Sequence, residues 1–221
     1  TTDQPATTDQ PATTDQPQST APQLLIGPTE LADLLDDPAT TVLHVGGSED
    51  EFRQMHIPGA RHLPLPAIVQ EVDGMPNELP PVESLDSVFE ALGVGDEGRI
   101  VVYGDPLPAA RAFFTLDFLG HGDRVTVLEG GIQGWQEAGL PLSSEPEAYA
   151  AAPFTPRPQP HIPVDKSWVQ EHLDAEDVVL VDARPVDQFT GEVPGTDIPR
   201  GGHIPGALSL YWELMLASDE P

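Results

Sequence analysis

The architecture of this chain follows from Arg200-Gly-Gly-His-Ile-Pro-Gly-Ala-Leu-Ser-Leu210, because a close copy, Met55-His-Ile-Pro-Gly-Ala-Arg-His-Leu-Pro-Leu65, stands in the first half. Each copy follows a short apolar run, Thr41–Val45 in the first half and Val178–Asp182 in the second. Self-similarity of this kind indicates a duplicated fold unit. The shared His-Ile-Pro-Gly-Ala string predicts a turn that leads into a strand, since proline fixes φ and glycine permits a tight backbone.

Helical and strand patterns alternate between the two turns. Arg99–Tyr103 is apolar after its first residue and predicts the central strand of a sheet. It leads into a predicted loop, Gly104–Arg111, and then into a helix that stops at Gly120. The other predicted elements are strands at Thr41–Val45 and Val125–Leu128 and helices at Glu30–Leu35, Glu49–Gln54, Ser84–Leu92 and Gly130–Glu137. Strands separated by helices imply a parallel sheet covered on both faces.

The pattern restarts in the second half but stays incomplete. A helix is predicted over Lys166–Leu173, a strand over Val178–Val181 and a helix over Val186–Phe189, before the second turn. No counterpart of the segment Arg99–Trp135 follows. A sheet without its middle strand exposes edges and core, so we expect the remainder as a continuation or as a separate bound chain.

These patterns predict four regions. Residues 1–22 consist largely of Thr-Thr-Asp-Gln-Pro-Ala repeats without a large apolar side chain, and we expect a disordered tether. Residues 23–142 form the first predicted domain, and the proline-rich residues 143–163 form an extended linker. Residues 164–221 are the first part of the second predicted domain.

Composition excludes several classes of function. The 37 Asp and Glu residues outnumber 9 Lys and Arg residues, and the net charge of −28 disfavours binding to nucleic acid or anionic membranes. No apolar run approaches the roughly 18 to 20 residues of a membrane-spanning helix. The chain has no cysteine, so it contains neither a disulfide, nor a thiolate metal site, nor a cysteine nucleophile.

Two cellular locations fit these features. The chain begins at Thr1, and a tether behind a removed export signal favours the periplasm or the cell surface. The alternative is the cytoplasm of a salt-adapted organism, where screening removes the self-repulsion of the acidic surface.

The sequence predicts neither a metal nor a cofactor. The seven histidines show no His-x-x-x-His pair and have no cysteine companion. No phosphate-binding glycine pattern is present, although Gly130-Gly131 precedes a predicted helix.

Five motifs in order resemble the tandem rhodanese family of thiosulfate and 3-mercaptopyruvate sulfurtransferases. They are Val181-Asp-Ala-Arg184, Gly202-His-Ile-Pro-Gly-Ala207 with its earlier echo, Val101-Val-Tyr103, Phe118-Leu-Gly-His121, and Val127-Leu-Glu-Gly-Gly-Ile132 followed by Trp135. The resemblance implies α/β, three-layer rhodanese-like units with a mostly parallel central sheet, in two tandem copies of which the second is truncated. It implies that a small anionic donor passes sulfane sulfur to a cysteine, as a persulfide, and then to a thiophilic acceptor.

In this family the cysteine follows the central strand, where the first copy has Gly104 and Asp105. The resemblance therefore implies a non-catalytic first domain whose loop, with Asp105 paired to Arg111, is vestigial. The catalytic cysteine is expected outside this chain, which should be inactive alone. The alternative is a non-catalytic binding or assembly module, displayed by the tether.

Site residues carry over from the family only in the second copy. Asp182 and Arg184 match a strand-end ion pair at the rim of the site, and Arg184 is also a candidate for binding substrate. Gln188 stands where many tandem members have a substrate-binding arginine, and Arg200 is a candidate replacement. His56 and His203 share a motif position and are expected to pack in their turns, as structural residues.

Overall fold

The chain folds as two compact units in a computed structural model that describes residues 23–145, 148–194 and 200–215. Unit 1 extends to Gln159, and unit 2 begins at Pro160. The predicted tether, residues 1–22, lies outside the described residues. In the part of the chain that is described, no helix is long and apolar enough to cross a membrane.

Unit 1 is built on a five-stranded sheet in which every neighbouring pair is parallel. The strand order is β1-β7-β6-β2-β3, so β6 is central, as its continuous apolar character predicted. The strands of unit 1 are β1 (Leu25–Ile26), β2 (Thr40–Val45), β3 (Arg61–Leu63), β4 (Gln70–Val72), β5 (Met75–Glu78), β6 (Arg99–Gly104) and β7 (Val125–Leu128).

Five helices cover both faces of this sheet. They are α1 (Pro28–Ala32), α2 (Glu49–Gln54), α3 (Val82–Ala91), α4 (Pro106–Phe118) and α5 (Gly131–Glu137). Successive strand residues point to opposite faces, so Leu43 and Val102 join one buried cluster and Val42 and Val101 join the other. The predicted α/β fold with a mostly parallel sheet between two helical layers is confirmed.

Two local predictions differ from the structure. Helix α4 begins at Pro106, inside the predicted loop Gly104–Arg111, because proline at the first helical position lacks only an N–H that the helix does not use. Strands β4 and β5 form an antiparallel hairpin in a segment for which the sequence analysis predicted no strand. Its turn at Asp73 and Gly74 has φ of 52° and 79°.

The proline-rich segment belongs to unit 1 as far as Gln159, although it was predicted to be an interdomain linker from residue 143. Phe154 is buried and lies 5.2 Å from Phe89 between ring centres. Asp96 accepts hydrogen bonds from the N–H and hydroxyl of Thr155. Low regularity made this segment resemble a linker, but its Phe154 side chain fills part of the core.

Unit 2 contains α6 (Lys166–Glu171), β8 (Val181–Asp182), α7 (Val186–Thr190) and β9 (Leu208–Ser209). The two strands pair in parallel and form a sheet of their own. No described residue of unit 2 is buried, in contrast with the two continuous clusters of unit 1.

Candidate functional site

The two turns that share the His-Ile-Pro-Gly-Ala string have the same backbone structure. Within Ile57–Ala60 and within Ile204–Ala207, the last N–H donates to the first carbonyl at 3.0 Å. Gly59 and Gly206 have φ of 78° and 83°, a region that favours glycine. Each turn leads into the strand that pairs with the strand before it.

A histidine in each turn stacks on a phenylalanine from the preceding helix. The ring centres of His56 and Phe52 are 4.2 Å apart, and those of His203 and Phe189 are 3.7 Å apart. Each imidazole Nδ1 also lies 2.7 to 2.8 Å from the backbone oxygen of the same phenylalanine. A carbonyl only accepts, so Nδ1 donates and the histidine holds its turn to the helix.

Strand register shows which positions correspond in the two units. Leu43 lies opposite Arg61 in unit 1, and Val181 lies opposite Leu208 in unit 2. Counting from these pairs, His44 corresponds to Asp182, Gly46 to Arg184 and His62 to Ser209.

Asp182 and Arg184 form an ion pair at the end of β8. The Arg184 Nε donates to Asp182 Oδ1 at 2.9 Å, and Nη2 donates to the Gly202 oxygen at 2.9 Å. Hydrogen bonds from Arg184 lower the pKa of Asp182. The guanidinium thus links the end of β8 to the second turn by hydrogen bonds. Arg184 is therefore a positioning residue in the described structure.

The other candidates of unit 2 follow this ion pair along the chain. Gln188 is half-buried on α7, and Arg200 is exposed at the start of the second turn. Their roles in binding an anion stay predictions.

The loop of unit 1 that follows β6 has proline at two positions of the first turn of α4. Asp105 is the N-cap of α4, but its side chain makes no capping hydrogen bond. The first and third helical residues are Pro106 and Pro108, which have no N–H. The expected pairing of Asp105 with Arg111 is wrong: no ion pair joins them, and the guanidinium lies 5.4 Å from the centre of the Phe114 ring.

Close backbone packing surrounds the same loop. A Cβ at Gly104, where φ is 149°, would lie 2.2 Å from the oxygen of Val45. A Cβ at Gly46 would lie 3.1 Å from Pro108. The close approach and the positive φ favour glycine at both strand ends.

Three histidines lie close together in unit 1. One of them, His44, stands where unit 2 has Asp182 of its ion pair. His44, His56 and His62 all contact the ring of Phe52, with ring centres 5.5, 4.2 and 5.2 Å away. Across residues 23–145, 148–194 and 200–215, no group of three His, Asp or Glu side chains is placed to hold a metal ion. Sequence spacing missed this cluster, because it depends on the pairing of His44 with His62 across two strands.

Comparisons with known proteins agree with this geometry. The Rhodanese-like domain model matches residues 27–138 and 165–220. The probable 3-mercaptopyruvate sulfurtransferase of Pseudomonas aeruginosa is 34% identical over 176 residues, which cover 76% of this chain and 61% of that protein. The thiosulfate sulfurtransferase of Azotobacter vinelandii is 31% identical over 191 residues, covering 86% of this chain and 69% of the relative.

A solved structure shares the fold. The crystal structure of SseA from Escherichia coli, described as a 3-mercaptopyruvate sulfotransferase, superposes with a TM-score of 0.76 at 29% identity. The match covers 86% of this chain and 75% of that chain. The fold and the motifs define a class of α/β protein that has a parallel sheet and a His-Ile-Pro-Gly-Ala turn in each unit. The chain belongs to the family of rhodanese-like domain proteins.

The altered loop of unit 1 gives a testable prediction. We expect Asp105→Cys to restore a thiol without restoring activity, because Pro106 and Pro108 leave few N–H groups to stabilise a thiolate. The thiol should titrate at or above its ordinary pKa of about 8.5. Thiolate absorbance against pH and the mass gained with thiosulfate measure both properties.

The matched control replaces both prolines with alanine in the Asp105→Cys background, which returns two N–H groups to the helix start. This variant should show the lower thiol pKa of the two. Persulfide formation by Asp105→Cys alone would contradict the prediction.

Proposed function

We propose that this protein serves in sulfur transfer, as a tandem sulfurtransferase whose nucleophilic cysteine lies in a segment that completes unit 2. The observation that carries the proposal is the duplicated strand and turn, with the Asp182–Arg184 ion pair kept only in unit 2. The relatives named for 3-mercaptopyruvate and for thiosulfate support the reaction class. Both 3-mercaptopyruvate and thiosulfate therefore remain candidate anionic donors.

Burial at corresponding positions supports the completion of unit 2. Leu43 is 0% exposed between its two neighbouring strands, whereas Val181 is 54% exposed. The next two core positions behave alike: Ile57 and Leu63 are 0% exposed, and the corresponding Ile204 and Leu210 are 48% and 46% exposed. About half of each side chain therefore remains available for burial against a further element.

The occupant of this surface is a parallel strand followed by a helix, equivalent to Arg99–Phe118 of unit 1. In unit 1, β6 pairs with the whole length of β2, on the side opposite β3. The same side of β8 has no partner strand among the described residues. An open parallel edge flanked by apolar side chains favours a strand with continuous apolar character.

The chemistry follows from a cysteine at the end of that strand. Its thiolate attacks the outer sulfur of the donor, forming an S–S bond as the bond to sulfite or to the pyruvate enolate breaks. An acceptor thiolate or cyanide then attacks the outer sulfur of the persulfide and regenerates the thiolate. In unit 2, Arg200 is the residue proposed to attract the anionic donor and Gln188 is a further candidate for binding it, while Arg184 positions the turn.

The test joins the missing portion of a rhodanese second domain, from its cysteine-bearing strand onward, after Pro221. We expect the fused protein to form a persulfide and to turn over thiosulfate with cyanide or 3-mercaptopyruvate with a thiol. The unfused chain should show neither. Replacing the joined cysteine with serine is the matched control.

A second candidate function has its own supporting observation. The chain has no cysteine, and the loop of unit 1 is filled by glycine backbone and proline, which favours a rhodanese-like module for binding or assembly. A fused protein that folds cooperatively yet forms no persulfide would favour this candidate and overturn the first. Turnover by the unfused chain would overturn the placement of the nucleophile.

A further inference from the structure

The three histidines around Phe52 form one aromatic cluster at the carboxyl end of β2 and β3. The rings of His56 and His62 lie nearly parallel to Phe52, with interplanar angles of 18° and 15°. His44 meets Phe52 and His62 edge-on, at 78° and 90°. On its other side, the centre of the His44 ring is 4.7 Å from that of Tyr103 on β6.

Few groups in this cluster could accept a hydrogen bond from a ring nitrogen that gained a proton. His56 is 0% exposed, and neither its Nε2 nor the buried Nδ1 of His44 has a hydrogen-bond partner among the described residues. His62 Nε2 lies 2.9 Å from the oxygen of Gly46. A cation placed here would be desolvated without a paired acceptor.

Two carboxylates and one cavity complete the surroundings. Glu51 on α2 and Asp105 after β6 are the acidic groups that act on His44, and Glu51 already accepts hydrogen bonds from Ser48. Near His62, a cavity of about 330 Å³ lined also by Glu49, Arg53 and Tyr149 opens toward solvent. Protons can therefore reach the cluster from this side.

We propose that this three-histidine cluster is an acid-sensitive element of unit 1, in which proton uptake by His44 loosens the carboxyl ends of β2 and β3. Unit 2 has Asp182 and Ser209 where unit 1 has His44 and His62, so unit 2 does not accumulate imidazoles at this place. The element is independent of the proposed sulfur transfer, because no cysteine or substrate takes part.

The direction of the pH effect follows from the environment of His44. Burial lowers the pKa of His44 to about 4, with His62 and His56 lowering it and Asp105 and Glu51 raising it. The unfolded chain, with a pKa of about 6.5, therefore binds the proton first as pH falls. The stabilisation is complete above about pH 6.5 and is lost progressively toward pH 4.

The test measures urea unfolding of unit 1 in the full chain between pH 7 and pH 4.5. Replacing Trp168 and Trp212 with phenylalanine leaves the buried Trp135 as the only tryptophan, and its fluorescence reports unit 1. In this background, lowering the pH from 7 to 4.5 should reduce the ratio of folded to unfolded protein. We expect this reduction to be about tenfold larger with His44 present than in His44→Leu, after allowing for the partial exposure of His44. His62→Ser should also reduce the slope of the free energy of unfolding against pH. A high, constant salt concentration keeps the repulsion among the acidic side chains equal in all variants.

His172→Gln is the matched control, since His172 lies in unit 2, outside the cluster, and its replacement should leave the slope unchanged. A second measurement needs no variant: the His44 ring proton, assigned by its contact with Tyr103, should titrate near pH 4 in nuclear magnetic resonance spectra. A His44→Leu protein with the original slope, or a His44 signal that titrates near pH 6.5, would overturn the proposal.

Discussion

Leu43→Asp should unfold unit 1, whereas Val181→Asp at the corresponding position of unit 2 should leave the chain nearly as stable as before. Leu43 is 0% exposed in the middle of β2, so the variant removes an apolar side chain and buries a carboxylate without a partner. We expect a loss of more than about 4 kcal/mol in the free energy of unfolding. Val181 is 54% exposed, and a carboxylate there stays hydrated.

Leu43→Ala gives the graded form of this experiment, with an expected loss of about 2 to 5 kcal/mol. In the background with Trp168 and Trp212 replaced by phenylalanine, urea unfolding followed by Trp135 fluorescence measures both variants of unit 1, and far-ultraviolet circular dichroism measures Val181→Asp. Equal destabilisation by the two aspartates in the unfused chain would contradict the contrast in burial. In the fused protein, Val181→Asp should abolish activity, because the completing strand would bury the new charge.

Arg124→Ala should destabilise unit 1 by about 2 to 4 kcal/mol, because one guanidinium joins four acceptors. Its Nε donates to His121 Nδ1 at 3.1 Å, and its two terminal nitrogens donate to the backbone oxygens of Gly95, Glu97 and Gly98. The partly buried carbonyls would lose their donor together.

The same substitution should loosen the segment around Thr155. Because His121 Nδ1 accepts from Arg124, its Nε2 carries the proton and donates to the Thr155 oxygen at 3.0 Å. Hydrogen exchange at the Thr155 N–H should therefore become faster in Arg124→Ala. Arg99→Ala is the control, since the Arg99 side chain is exposed and makes no hydrogen bond among the described residues, while its backbone N–H bond to Ala39 is kept. An equal loss of stability in both variants would contradict the prediction.

The sequence predicted the repeated turn and the central strand because both depend on local properties. Proline and glycine restrict the backbone of the turn wherever it stands, and an uninterrupted apolar run such as Ile100–Tyr103 is stable only when covered on both faces. These two features could therefore be predicted from a few neighbouring residues, whereas the strand-end pair of Asp182 and Arg184 was implied by the resemblance to the rhodanese family.

The sequence did not predict the role of residues 148–159, the start of α4, or the histidine cluster. Phe154 lies far along the chain from its partners Phe89 and His121, so composition alone made its segment look like a linker. Pro106 and Pro108 read as loop residues, although the first turn of a helix tolerates both.

The amino-acid sequence by itself determined the repeated His-Ile-Pro-Gly-Ala string, the absence of a thiol and the acidic character of this protein, since each is a property of residue identity. Only the tertiary structure decided that Leu43 is enclosed while Val181 is open, and that His44 meets His62 and Tyr103. The reason is physical: burial and pairing depend on which strands lie side by side, and parallel neighbours in a sheet are distant in sequence.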